Sequence, residues 1–205
     1  MEVKHSIKSI AMIVVGLMGL LSVSAVAQES RSEVSIQGTG FFTKDSDGNG
    51  VREHATNTGG FLVGYRYNLT RWLSAEANYG YDRNTQIYFG SGPARVQSNI
   101  HQATGSAVIK LPAFARLQPY VLGGGGALVF DPTGNAGGSF AGATWESRGA
   151  FVYGGGADYA VTKLMSIRAE YRGYVYKAPD FNLTGLNTNT WTNIAAPSAG
   201  IAFHF

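Results

Sequence analysis

Downstream of residue 27, apolar and polar side chains alternate with a period of two. In residues 59–68 one face reads Phe61, Val63, Tyr65, Tyr67, and the other reads Gly60, Leu62, Gly64, Arg66, Asn68. In 73–82 the faces are Leu73, Ala75, Ala77, Tyr79, Tyr81 against Ser74, Glu76, Asn78, Gly80, Asp82. In 165–175 they are Met165, Ile167, Ala169, Tyr171, Gly173, Val175 against Ser166, Arg168, Glu170, Arg172, Tyr174. Side chains two apart share a face of a strand, so each segment predicts a strand with one apolar and one polar side. The runs reach about ten residues, longer than the five or six usual in soluble sheets. Roughly 9–11 residues is the length a tilted strand needs to cross a bilayer.

Eight strands are predicted, near 33–42, 59–68, 72–82, 98–111, 118–130, 149–159, 164–176 and 195–205. Connections at 68–71, 112–117 and 160–163 are short. Those at 43–58, 83–97, 131–147 and 177–193 are long and rich in Gly, Asn, Asp, Ser and Pro. Three short turns and four long loops place both ends of an eight-stranded meander on one side. Short periplasmic turns opposite long extracellular loops mark a transmembrane barrel. The expected fold is therefore all-β: an eight-stranded antiparallel transmembrane β-barrel over residues 28–205. Glycine runs at 123–126 and 154–156 fit close backbone approaches in a narrow barrel.

The first 27 residues follow another rule. Lys4 and Lys8 precede an apolar run over residues 10–23, and Ala25-Val26-Ala27 offers small residues for signal peptidase. This is the layout of a secretory signal peptide, cut after Ala27. With no cysteine in the chain, disulfides, thiol chemistry and a lipid-modified N-terminus are excluded.

Composition supports lipid on the outside of the barrel. Charged residues make up 14% of the chain, against about 25% in ordinary soluble domains. The polar faces are too sparse to coat a water-facing surface. A soluble ligand-binding barrel would invert the two faces, and alternation alone does not distinguish these directions. With lipid outside, Arg66, Glu76, Asp82, Asp158, Arg168, Glu170 and Arg172 point inward. Buried charges must pair, so Arg66 is expected to meet Glu76, and Arg168 to meet Glu170 or Asp158. The net charge of +3 is dispersed, with no basic run of a nucleic-acid surface.

The segments Gly64-Tyr65-Arg66-Tyr67, Ala75-Glu76-Ala77-Asn78-Tyr79, Arg168-Ala169-Glu170-Tyr171-Arg172 and Gly200-Ile201-Ala202-Phe203-His204-Phe205 together resemble the small OmpA/OmpX-type outer-membrane β-barrel family. The resemblance implies a bacterial outer-membrane location, outer-membrane lipid as surroundings, and periplasmic chaperones. It also implies recognition of the Phe205 terminus by the outer-membrane assembly machinery. A chain ending at Phe205 is expected to lack the peptidoglycan-binding domain that some relatives append.

Candidate chemistry is thin. Asp45-Ser46-Asp47-Gly48-Asn49-Gly50-Val51-Arg52-Glu53 matches the opening of a calcium loop. Asp45, Asp47 and Asn49 would supply oxygens, Val51 a carbonyl and Glu53 the ninth position. Thr56 stands where the closing glutamate belongs, so any calcium site would be weak, and a polar hairpin tip is the alternative. His54, His101 and His204 stand alone in the sequence, and no nucleophile-elbow spacing occurs. No catalytic residue and no cofactor other than calcium is predicted. Aromatic and apolar residues in the long loops (Tyr88, Phe89, Phe140, Trp145, Phe181, Leu183, Trp191) suit either partner contact or packing among themselves. The expected function is a non-enzymatic envelope protein that presents loops 43–58, 83–97, 131–147 and 177–193 for adhesion or partner contact. A lipid-modifying enzyme, which would need a His and a Ser or acid brought together by the fold, and a narrow passive channel are the alternatives.

Overall fold

A computed structural model describes residues 31–90, 94–133 and 143–205. The leader expected over 1–27 and the tip of the third loop, including Phe140, lie outside them. The strands are β1 (Ser32–Thr43), β2 (Ser46–Gly48), β3 (Val51–Ala55), β4 (Thr58–Asn68), β5 (Leu73–Phe89), β6 (Ala94–Lys110), β7 (Leu117–Pro132), β8 (Glu146–Ala160), β9 (Met165–Lys177) and β10 (Trp191–His204). Each barrel strand pairs antiparallel with its neighbour in sequence. β1 pairs with both β4 and β10, which closes the sheet. Closure leaves the sheet no open edge, so the wall's backbone groups pair strand to strand, the condition for crossing hydrocarbon.

The predicted faces are the observed ones. Ile36, Phe61, Phe151, Ile167, Tyr171 and Ile201 point outward and are exposed, while Arg66, Glu76, Asp82, Asp158, Arg168, Glu170 and Arg172 are buried in the bore. The inverted reading, a soluble ligand-binding barrel, is thereby excluded. Glycines let the inner wall close. A Cβ at Gly124 would lie 2.0 Å from the Gly105 carbonyl oxygen, and one at Gly200 would lie 2.0 Å from that of Ile36.

The long loops contain more strand than the pattern predicts. β5 and β6 run on to Phe89 and from Ala94, so much of 83–97 is a hairpin rising above the membrane. Its inner face mixes polar Asn84, Gln86 and Ser98 with apolar Tyr88 and Val96, so no apolar–polar alternation marks it as strand. Segment 43–58 folds into β2 and β3, joined by Asn49 (φ +50°) and Gly50 (φ +74°). Positive φ at both positions is what a type I′ hairpin requires, and Asn-Gly adopts it most readily. β3 then pairs with the extension of β5.

Candidate functional site: a filled bore beneath an extracellular lobe

The periplasm-side half of the bore holds a charge network. Arg66 Nε donates to Glu76 Oε2 at 2.6 Å, and Arg66 Nη1 donates to Asp158 Oδ2 at 3.2 Å. Arg168 donates to Asp158 (2.6 and 2.8 Å) and to Glu33 (2.9 Å). Arg172 bridges Glu170 and Glu76. Lys110 Nζ reaches Glu33 at 2.8 Å. The Arg66 guanidinium also lies 4.3 Å over the ring of Tyr120, whose hydroxyl donates to Glu170. The expected Arg66–Glu76 and Arg168–Asp158 pairs form. Glu170, the other partner offered for Arg168, bonds Arg172 instead. Glu33 and Lys110 are members that the sequence reading missed. Their place at strand ends gave no pattern to mark them.

Toward the cell exterior an apolar cluster fills the bore beside a wall of buried Asp82, Asn84, Gln86 and Ser98. Ile100, Leu128, Phe130, Tyr176 and Ile194 face inward and are buried. Two side chains from the fourth loop, Phe181 and Leu186, enter this mouth and are buried with them. Phe181 packs edge-on against Tyr88 and Phe130. Phe181 (φ +51°) and Asn182 (φ +61°) both adopt the left-handed backbone region, unusual for a bulky residue. Packing holds that conformation in place. Glu146 Oε2 accepts from the N–H groups of Asp180 and Phe181, and the Tyr88 hydroxyl donates to the Pro179 carbonyl. Of the loop aromatics, Tyr88 and Phe181 are therefore interior, Leu183 is half-buried, and Phe89, Trp145 and Trp191 remain exposed. No sequence period signals this insertion, because it is made by single side chains on irregular backbone.

The five positions considered for calcium lie on the β2–β3 hairpin and the residue before it. Asp45 Oδ2 accepts from Arg52 at 2.8 Å, and Asp45 Oδ1 lies 2.6 Å from His54 Nδ1. These hydrogen bonds hold the Asp45 carboxyl below its ordinary pKa. Asp47 is exposed, 3.9 Å from Arg52, and the Asn49 amide donates to the Asn187 carbonyl. Glu53 is buried on the inner side of the hairpin and accepts from Ser46 at 2.8 Å. Burial raises its pKa to about 7, the Ser46 bond opposes the rise, and the charges of Asp45 and Glu146 add to it. Val51 sits beyond the Asn-Gly turn, opposite Gly48. Among the described residues no group of three or more His, Cys, Asp or Glu is placed to hold a metal ion.

The histidines have partners. His101 Nδ1 lies 2.7 Å from the Tyr79 hydroxyl on the outer wall, beside Tyr81. His204 Nε2 lies 2.9 Å from Ser166 Oγ at the periplasmic mouth, with Glu33 3.8 Å from Nδ1. The fold therefore does bring one His beside one Ser. The cross-strand register that pairs Glu33 with His204, and Ala202 with Ser166, accounts for it.

Above the membrane, β3, β5 and β6 present one continuous outer face. His54, Ile87 and Arg95 stand side by side, Arg52 lies opposite Phe89, and Arg83 bonds Asn99 at 2.7 Å. Arg95 is exposed and makes no ion pair with any described residue.

A closed antiparallel barrel with an apolar outer wall, a charge-packed bore, tight turns at one end and a raised lobe at the other is a membrane-spanning β-barrel. The sequence matches the outer membrane protein beta-barrel domain family over residues 13–196, and the chain belongs to that family. No curated protein matches it in sequence. Among solved structures it is similar to Neisserial surface protein A, with a TM-score of 0.62 and 15% identity, covering 85% of this chain and 97% of that one. It is also similar to OprG from Pseudomonas aeruginosa (TM-score 0.58, 11% identity, 87% of this chain and 98% of that one). A third likeness is to Yersinia pestis Ail, the attachment invasion locus protein, solved with the heparin analogue sucrose octasulfate. That match has a TM-score of 0.51 and 18% identity, covering 85% of this chain and 99% of that one. These likenesses show the fold.

Proposed function

We propose that the protein acts at the cell surface as a non-enzymatic outer-membrane barrel whose extracellular lobe contacts a polyanionic partner. The observation that carries this reading is the outer face of the β3–β5–β6 extension, where Arg83 and Arg95 stand exposed among Ile87 and Phe89. Lys44 and Lys177 add exposed and half-exposed cations elsewhere on the lobe. A sulfated or phosphorylated glycan fits this pattern, and the heparin analogue bound by Ail is an example of the ligand class. The filled bore argues against a channel: arginines and carboxylates occupy one half, and apolar side chains together with buried Asp82, Asn84, Gln86 and Gln102 fill the other. Recognition of Phe205 by the assembly machinery belongs to the same proposal; Phe205 is exposed at the periplasmic rim, hydrogen-bonded to Ser32.

The test is adhesion of intact cells displaying the protein to heparin-coated plates. Removing two of the lobe's cations in R83Q/R95Q should lower adhesion several-fold, and raised salt should weaken it, since exposed charge pairs are screened. Equal adhesion of the two proteins, or stepwise ion conductance in planar bilayers, contradicts the proposal.

The Ser166–His204 contact favours a second reading, a hydrolase at the periplasmic mouth. Against it, Ser166 is buried, and the Glu33 oxygen nearest His204 already accepts from Lys110 and Asn68. Labelling of the folded barrel by a fluorophosphonate, lost in S166A, would establish this reading; no labelling would dismiss it.

A further inference from the structure

The three periplasmic turns repeat one pattern. They read Leu69-Thr70-Arg71-Trp72, Phe114-Ala115-Arg116-Leu117 and Val161-Thr162-Lys163-Leu164: apolar, small, cationic, apolar. In the first and third even the hydrogen bonds coincide. The N–H groups of Leu69 and Thr70 both donate to the Leu73 carbonyl, and those of Val161 and Thr162 both donate to the Met165 carbonyl. The Thr70 hydroxyl oxygen accepts from the Trp72 N–H, as that of Thr162 does from the Leu164 N–H. Each turn thus fixes a cation between two outward apolar side chains. Phe114 is 80% exposed, Leu164 65% and Trp72 53%.

Arg71, Arg116 and Lys163 are all exposed, and none makes an ion pair with a described residue. The carboxylates at this end, Glu33 and Asp158, are buried in the bore network. Among the described residues, every exposed charged side chain on these turns is therefore positive. The second and third turns are tied together by a hydrogen bond from the Ala160 N–H to the Arg116 carbonyl. Beside that bond lies a groove of about 350 Å³, lined by Arg116, Ala160, Val161, Thr162 and Lys163. Two unpaired cations and a threonine hydroxyl border it.

We propose that this groove seats the phosphate headgroup of an anionic phospholipid in the periplasm-facing leaflet. The flanking apolar residues place the rim at the hydrocarbon boundary, because Phe114, Trp72 and Leu164 gain only by entering acyl chains. At that depth Arg116 and Lys163 extend their stems along apolar surface and carry their charges to the phosphate layer. A cell-wall polymer would satisfy the cations and leave the apolar residues in water. A phospholipid satisfies both.

Each surface cation contributes about a fivefold preference for an anionic over a zwitterionic lipid. The experiment places a reporter at the site. W72F/W145F/W191F/F114W leaves one tryptophan, on the second turn two residues from Arg116. The protein is refolded into phosphatidylcholine vesicles containing either brominated phosphatidylglycerol or brominated phosphatidylcholine, and quenching is compared at equal bromolipid content. Stronger quenching by the glycerol lipid, corresponding to at least about fivefold tighter association, is expected. R116Q/K163Q in the same background should bring the ratio close to one. In the protein that retains both cations, raising salt from about 0.05 to 0.5 M should do the same. Equal quenching by both lipids before any charge is removed, or a preference that survives R116Q/K163Q in a barrel still shifted on unheated gels, overturns the proposal.

Discussion

Replacing Glu76 by glutamine should destabilise the barrel out of proportion to the change in shape. Glu76 lies where three arginines meet: Arg66 at 2.6 Å, Arg168 at 3.5 Å, and Arg172 in direct contact. Around it four carboxylates (Glu33, Glu76, Asp158, Glu170) face four cations (Arg66, Lys110, Arg168, Arg172), so the buried network is neutral as built. E76Q keeps the volume and leaves one buried positive charge unmatched. At an effective dielectric of about 20 each lost contact near 4 Å is worth ~4 kcal/mol, offset in part because Glu76 need no longer be desolvated. Removing one member of a buried pair costs ~3–5 kcal/mol in measured cases, and that is the expected cost here. With an m-value of ~2 kcal/mol/M in urea, the unfolding midpoint should fall by roughly 2 M. The assay is reversible urea unfolding in lipid vesicles, followed by tryptophan fluorescence and by unheated gel mobility. R66Q alone should cost a similar amount. R66Q/E76Q restores three charges against three, so it should cost at least ~2 kcal/mol less than the two single changes added together. An E76Q barrel within ~1 kcal/mol of the parent, or strictly additive single changes, would refute the view that the bore is held by mutual neutralisation.

Three further outcomes follow from the geometry. Glu53 has a folded-state pKa of about 7 against an ordinary 4.5, so the folded lobe holds its proton more tightly than the open one. Stability of the β2–β3 hairpin is therefore greatest below pH 4.5 and falls as pH rises to 7. Hydrogen exchange in residues 46–55, corrected for intrinsic rates, should quicken over that window, and E53Q should flatten the dependence. F181A removes a fully buried ring from the mouth, so exchange in 178–190 should rise by orders of magnitude while the barrel's urea midpoint moves little; a large midpoint shift would show that the loop is part of the global fold. G200A should block refolding, because its Cβ would meet the Ile36 carbonyl at 2.0 Å, whereas G38A on the same strand pair meets nothing within 4 Å and should refold normally on a semi-native gel.

Much of the barrel was legible because a membrane wall enforces a strict period of two. Arg66, Glu76 and Arg168 fall on alternating polar positions, and the structure buries each of them. What the pattern hid has a physical cause. Thr85 and Gln97 continue β5 and β6 above the bilayer, where neither face must be apolar, so the alternation fades although the pairing continues. The fourth loop enters the mouth through Phe181 and Leu186 alone, and one or two contacts leave no period to read. The same chemistry carries two meanings at Asp45–Glu53: oxygens at calcium-loop spacing also suit a hairpin closed by Asn49-Gly50, and that hairpin forms. The Ser166–His204 contact depends on the register of β9 with β10, which no local signal encodes.

Both the adhesion proposal and the phospholipid groove depend on which end of the barrel faces the outside. The chain has no cysteine, so a single one can be introduced as an address label. Asn49→Cys marks the tip of the β2–β3 hairpin, and Thr162→Cys marks the third turn. Intact cells are treated with a membrane-impermeant maleimide. The account predicts labelling at position 49 in intact cells, and at 162 only after the outer membrane has been permeabilised. Labelling of 162 with 49 protected would contradict it outright, because lobe and turns would then have exchanged sides.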